Sequence, residues 1–207
     1  MIVNRLTWQF ACVTITVALS GALVLIGALA LGWNSPRPSH PPDWRAPGLP
    51  RDLEASPGET SVTLLETPGD DSVSNAGANF TAEMTAFSPD ADPLDFNGYG
   101  LLYRAQDPAN YYVFAVGSDG YYAVLRVVDG APTPLLDWRQ FTHVRRGAGL
   151  NRLRLHCDEA VCYFYVNDEY ATSVEDDAWL HGQVGLWAWG TGEQSTWARF
   201  RDVRIWR

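Results

Sequence analysis

The chain has 207 residues with 24 carboxylates against 15 cations, a formal net charge of −9. Wrapping of nucleic acid, which needs a basic stripe, is therefore excluded as a default, and acidic substrates are disfavoured for the same reason. All 15 cations are arginine, which removes Schiff-base lysine chemistry and the lysine of a phosphate-binding P-loop. Nine Trp and nine Tyr argue for a packed, aromatic-rich domain rather than a disordered chain.

Residues 6–36 carry no charged side chain. Within them, 10–32 are apolar or small throughout, and a helix of that length reaches ~35 Å, enough to cross a hydrocarbon core of ~30 Å. Trp8 and Trp33 flank the stretch as interfacial indoles do. The reading is a short tail over 1–9 and a transmembrane signal anchor over 10–32. A cleaved signal peptide is the alternative, because Ala28-Leu29-Ala30 fits a small-x-small cleavage pattern. Cys12 lies inside the apolar span with too short an apolar lead for lipid attachment and reads as a buried small residue. Residues 33–58 hold seven prolines, from Pro36 to Pro57, and predict a stiff, extended linker without strands that holds the rest away from the membrane.

From residue 59 onward, short runs rich in Val, Tyr, Phe, Trp and Leu alternate with turn residues, the pattern of an all-β protein. Strands are predicted near 61–67, 79–87, 99–105, 111–116, 121–128, 134–138, 151–157, 161–166, 170–174, 183–189 and 196–206. Asn97-Gly98, Asp119-Gly120, Asp129-Gly130 and Asn167-Asp168 accept positive φ and predict tight turns. So many strands in 59–207 imply two packed antiparallel sheets.

Cys157 and Cys162 bracket four residues between two predicted antiparallel strands. Opposed positions there bring Cβ atoms to ~4.5–5.5 Å, near disulfide geometry. Two free thiols, or a metal held with His156, are the alternatives. A disulfide implies an oxidising space and so places the sandwich on the extracytoplasmic side of a single-pass cell-membrane protein. The cation count points the other way, since Arg37, Arg45 and Arg51 outnumber Arg5 and the terminal amine.

The runs Gly98-Tyr99-Gly100-Leu101-Leu102-Tyr103-Arg104, Asp107-Pro108-Ala109-Asn110-Tyr111-Tyr112, Asp119-Gly120-Tyr121-Tyr122, Asn151-Arg152-Leu153-Arg154, Tyr165-Val166-Asn167-Asp168, Gly182-Gln183-Val184-Gly185-Leu186-Trp187-Ala188 and Phe200-Arg201-Asp202-Val203-Arg204-Ile205, in this order, resemble the concanavalin A-like lectin/glucanase sandwich. The similarity extends to laminin G-like domains and is greatest to the branch named for 3-keto-disaccharide hydrolases. The resemblance spans about 59–207. It implies a jelly roll with one concave sheet, on which lectins and glycanases of this fold often bind sugar.

Glycanases of this fold carry carboxylates on alternate positions of one strand, so that two flank the glycosidic oxygen. No Glu-x-Asp-x-(x)-Glu strand is present, so catalysis is not expected and the glycoside-processing reading rests on the resemblance alone. Asp90, Asp92 and Asp95, and Glu175, Asp176 and Asp177, lie in loop-like text. They suit solvation or a structural calcium ion better than acid catalysis. No other cofactor is expected. His40, His143, His156 and His181 are scattered.

What remains is a binding face. Strand alternation puts Arg126 with Tyr122, opposes Arg104 to Tyr103, and pairs Trp187 with Trp189. Arg104, Tyr112, Tyr122, Arg126, Trp187 and Trp189 are the candidate ligand-binding residues, rings for stacking on sugar and arginines for hydroxyls or carboxylates. The competing reading makes them core aromatics with covering arginine stems. The functional expectation is a membrane-anchored, non-catalytic module for a glycan or a neighbouring protein. An accessory subunit of a membrane complex is the alternative. From residue 59 there are 21 carboxylates and 11 arginines, net −10, which argues for neutral glycans, cations or a basic protein face and against anionic lipid.

Overall fold

The computed structural model describes residues 37–65, 75–92, 96–191 and 195–207. The expected membrane helix over 10–32 and Asp95 lie outside them. Among the described residues there is no helix, and so none long and apolar enough to cross a membrane.

Among the described residues fourteen strands form two antiparallel sheets. The first, sheet A, runs β1 (Trp44–Arg45), β14 (Thr196–Trp206), β5 (Phe80–Phe87), β10 (Asn151–Asp158), β11 (Val161–Val166), β12 (Glu169–Glu175), with β2 (Arg51–Ala55) also on β14. The second, sheet B, runs β3 (Thr60–Leu64), β13 (Gly182–Gly190), β6 (Asn97–Asp107), β7 (Asn110–Gly117), β8 (Tyr121–Val128), β9 (Ala131–Gln140), with β4 (Asn75–Ala76) also on β13. Alternating apolar positions close the sandwich: Ala82, Met84, Leu153, Leu155, Phe164 and Ile205 from sheet A meet Leu101, Phe114, Val124 and Leu186 from sheet B. The two-sheet antiparallel sandwich expected from strand spacing is present.

Three expectations are corrected. Residues 33–58 are not a strand-free linker: Trp44 is buried opposite Ile205, and β2 pairs with β14 from Ala55↔Thr196 to Arg51↔Phe200. Pro47, Pro50 and Pro57 fall between or after these strands, where no ladder donor is needed. Proline density thus sets where the strands break rather than whether they form. Asn97-Gly98 is not a turn but the start of β6, with Gly98 paired to Gly117 and Trp189. Asp129-Gly130 and Asn167-Asp168 do turn, every residue at positive φ, and Gly120 does as well (φ 96°). The third correction concerns Arg104, which adopts φ 49° where the β6–β7 register shifts. This bulge turns Tyr103 and Arg104 to the same side and breaks the simple alternation.

Cys157 and Cys162 face one another in the β10–β11 ladder and are disulfide-bonded, with Cα atoms 4.1 Å apart. Both are buried between the sheets.

Candidate functional site

The outer face of an antiparallel sheet is ordinarily polar, but sheet B carries a second apolar cluster there. Leu102, Tyr111, Val113, Ala115, Ala123, Leu125, Val127 and Trp187 are buried on it, with Val62, Trp138 and Trp189 packed alongside. The register explains its shape. Trp187 lies opposite Gly100, Gly100 opposite Ala115, and Ala115 opposite Ala123. This row of minimal side chains is a trough, and the adjoining Trp187 ring is 3% exposed. Gly100 has to be glycine, since a Cβ would stand 2.5 Å from the Phe114 carbonyl oxygen, and at Gly98 a Cβ would press on the Trp187 ring at 3.0 Å.

Trp189, two residues along β13, shares that face. Phe96 stands edge-on to Trp138 at 4.6 Å and to Trp189 at 5.4 Å, which fixes both rings. The Trp187 indole donates to the Tyr111 hydroxyl, whose titration burial pushes upward. The resulting groove has a volume of about 420 Å³, within the ~300–1,000 Å³ of small-molecule sites. Gly58 and Thr60 form one wall, Pro132 and Pro134 of β9 the other, and among the described residues Asp137 is the one carboxylate in the lining. Asp137 also accepts the Trp138 backbone N–H at 2.8 Å. Among the described residues no arginine lines the groove.

The six sequence candidates are not brought together. Trp187 and Trp189 line the groove; Arg104, Tyr112, Tyr122 and Arg126 point to the opposite side of sheet B. Arg104, 1% exposed, donates Nη2 to the Ala78 carbonyl at 3.0 Å and to the Glu159 carbonyl, and Nη1 to the Trp179 carbonyl at 3.4 Å. It is a lock between β6 and the ends of sheet A, its titration lowered by burial. The Tyr122 hydroxyl donates to the Ala171 carbonyl across the sandwich at 3.0 Å. Tyr112 stacks on Tyr103 and donates to Asp176; burial, with Asp176 beside it, pushes the phenol upward. Arg126 pairs with Asp176 at 2.9 Å. These four hold the sheets together.

Asp176, one of the acidic-loop candidates for calcium, thus spends its oxygens on Tyr112, Arg126 and the Ala178 N–H. Among the described residues no group of three His, Cys, Asp or Glu is placed to hold a metal ion. Sequence reasoning missed Tyr111 and Trp138. Trp138 carried one usable signal, its even-numbered position on a strand with Pro132 and Pro134, the mark of an edge strand beside an exposed face.

Neither a protein-family model nor a curated protein matches the sequence. Among solved structures the chain is similar to the carbohydrate-binding module CBM66 from Bacillus subtilis, at 18% identity over 79% of this chain and 94% of that one, with a TM-score of 0.60. It is similar to the alginate lyase A1-II′, at 11% identity over 75% of this chain and 78% of that one, TM-score 0.53. The GH43 protein BlXynB from Bacillus licheniformis is matched at 18% identity and TM-score 0.51 over 74% of this chain but only 32% of that one. These likenesses show the fold: the chain has the concanavalin A-like jelly-roll sandwich.

Proposed function

We propose that the protein is a non-catalytic glycan-binding module, anchored in the cell membrane by residues 10–32, with its sandwich on the extracytoplasmic side. The observation that carries the reading is the groove on sheet B, floored by Trp187, Trp189 and Tyr111 and flanked by Trp138. Flat apolar sugar faces stack on the partly exposed rings of Trp138 and Trp189, above the buried Trp187 and Tyr111, and Asp137 and Thr60 offer polar groups to fix orientation. With no arginine and one carboxylate among the described residues of the lining, the groove favours neutral over acidic glycans. One of the solved structures similar in fold, matched over 79% of this chain and 94% of that one, is described as a carbohydrate-binding module.

The buried disulfide supports an oxidising compartment. The opposing cation count loses weight because Arg45 and Arg51 belong to folded strands, and large domains translocate largely regardless of charge. Purified full-length protein in mild detergent, assayed against immobilised neutral and uronate-containing polysaccharides, tests the function. Retention on a neutral glycan, weakened ~10-fold (about 1.4 kcal/mol) by Trp138→Ala with an unchanged circular dichroism spectrum, is expected. Undiminished retention in a Trp138→Ala, Asp137→Ala double variant removes the groove from the account. A stoichiometric membrane partner without glycan retention replaces it with the subunit reading.

A further inference from the structure

The groove on sheet B is built shut at one end. Strands β13 and β9 are four strand spacings apart, ~19 Å along the sheet, yet the Trp189 and Trp138 rings they carry meet with centroids 6.4 Å apart. Phe96 stands edge-on to both and lies over Gly117, where a Cβ would be 2.6 Å from its ring. Its backbone is pinned: the Phe96 carbonyl accepts the Thr191 hydroxyl, and the neighbouring Asn97 N–H donates to the Ser118 hydroxyl at 2.9 Å. Small residues make room for the arrangement. Trp189 lies opposite Gly98 and Gly98 opposite Gly117, so the rings reach inward from both sides over bare backbone.

The three rings form an arch across the groove. Aromatic pairs touch at ~4.5–7 Å between centroids, so the Trp138–Trp189 separation leaves no space for a sugar ring to pass between them. The far end is made differently. Tyr111 is opposite Val127 and Val127 opposite Pro132, with Gly130 and Pro132 exposed at the rim. The β7 stretch from Tyr111 to Gly117 puts this row ~20 Å from the arch. An internal stretch of polysaccharide must leave a groove at both ends, whereas a chain terminus needs only one.

We infer that the groove binds the terminal residue of a neutral glycan chain, seated against the arch of Phe96, Trp138 and Trp189, with the rest of the chain leaving past Gly130 and Pro132. The inference rests on the glycan-binding reading above and narrows its ligand from polysaccharides in general to chain ends. Asp137, beside Trp138 in the lining, then has a specific task. A terminal residue carries a free hydroxyl where an internal one is linked, and a carboxylate accepts from it.

The probes are a glucan, a xylan and a mannan, immobilised to retain the purified full-length protein. Each is also added free in solution as competitor, intact or cut with the matching endoglycanase. For cuts to about a tenth of the chain length, the fragments are expected to release the protein at ~10-fold lower mass concentration, since the dissociation constant then counts termini. Borohydride reduction of the fragments, which opens the reducing-end ring, identifies the terminus: lost competition assigns the reducing end, and undiminished competition the opposite one. In Trp138→Ala, which takes away one side of the arch, the advantage of the fragments falls toward parity even as retention weakens. Equal competition by intact and cut polysaccharide overturns the inference and leaves the glycan reading in place. So does a fragment advantage that Trp138→Ala leaves at its full size, because the arch is then not what stops the chain. Retention on none of the polysaccharides removes the glycan reading and the inference with it.

Discussion

The six-membered ring of Trp187 lies over Gly98 so closely that a Cβ there would stand 3.0 Å from Cζ3 and 3.1 Å from Cη2. The groove floor and the β6 backbone pack against one another, and what glycine supplies here is space, since Gly98 is not among the residues at positive φ. Gly98→Ala is expected to displace the indole by a few tenths of an ångström and cost about 1–3 kcal/mol as an overpacking change. Chemical denaturation reads the stability, and near-ultraviolet circular dichroism reads the tryptophan environment. An unchanged near-ultraviolet spectrum would mean that Trp187 is free to move and not part of a rigid floor.

Arg104 separates a structural cation from a binding one. Its donors serve the carbonyls of Ala78, Glu159 and Trp179 from a position 1% exposed. Arg104→Ala strands these acceptors, for a loss of about 3 kcal/mol or more. Arg104→Lys recovers little of it, because one ammonium cannot reproduce the planar fork. Urea midpoints give both values. Glycan retention per folded molecule should stay at the wild-type level, whereas selective loss of retention would return Arg104 to the binding site.

The elements most legible in the sequence were apolar runs bounded by clear turn residues, even where, as at Asp202, a bulge interrupts the alternation. Tyr121–Val128, Val161–Val166 and Thr196–Trp206 occur where spacing put them, and Trp187 and Trp189 do share a face. Two long-range facts were out of reach. Whether Tyr122 and Arg126 lie on the same side of sheet B as Trp187 depends on the registers Trp187↔Gly100, Gly100↔Ala115 and Ala115↔Ala123, which no local pattern fixes. The bulge at Arg104 moves one residue to the other face, and arginine gives no conformational hint of positive φ as glycine does. Strand β2 was obscured because RDLEA, bounded by prolines, reads as polar linker, and only its pairing to β14 reveals it.

The disulfide contributes a measurable share of stability. Closing the short loop between Cys157 and Cys162, five positions apart, removes unfolded-state entropy worth about 2 kcal/mol. Cys157→Ala, Cys162→Ala should therefore lower Tm by ~4–8 °C, the conversion for a domain of this size. Reductant should have a similar effect on the wild type and none on the variant. A reductant-sensitive variant would point to some other cause.

His156 gives the sandwich an acid limb. The ring lies on the outer side of β10, its Nδ1 3.0 Å from the Thr81 hydroxyl oxygen and its face near Tyr163. Burial lowers its pKa below the ordinary histidine value, with Arg154 adding repulsion and Asp158 opposing it. A depressed folded value means that the unfolded chain takes up the proton first. The neutral ring's contribution is complete above the unfolded pKa of ~6.5 and is lost as pH falls toward the folded value. Urea midpoints measured from pH 8 down to pH 5 are expected to decline through that window in the wild type. In His156→Gln, which keeps a polar partner for Thr81 but does not titrate, the decline should flatten. A His156→Gln profile parallel to the wild type would assign the acid sensitivity to other groups and leave His156 without a role in it.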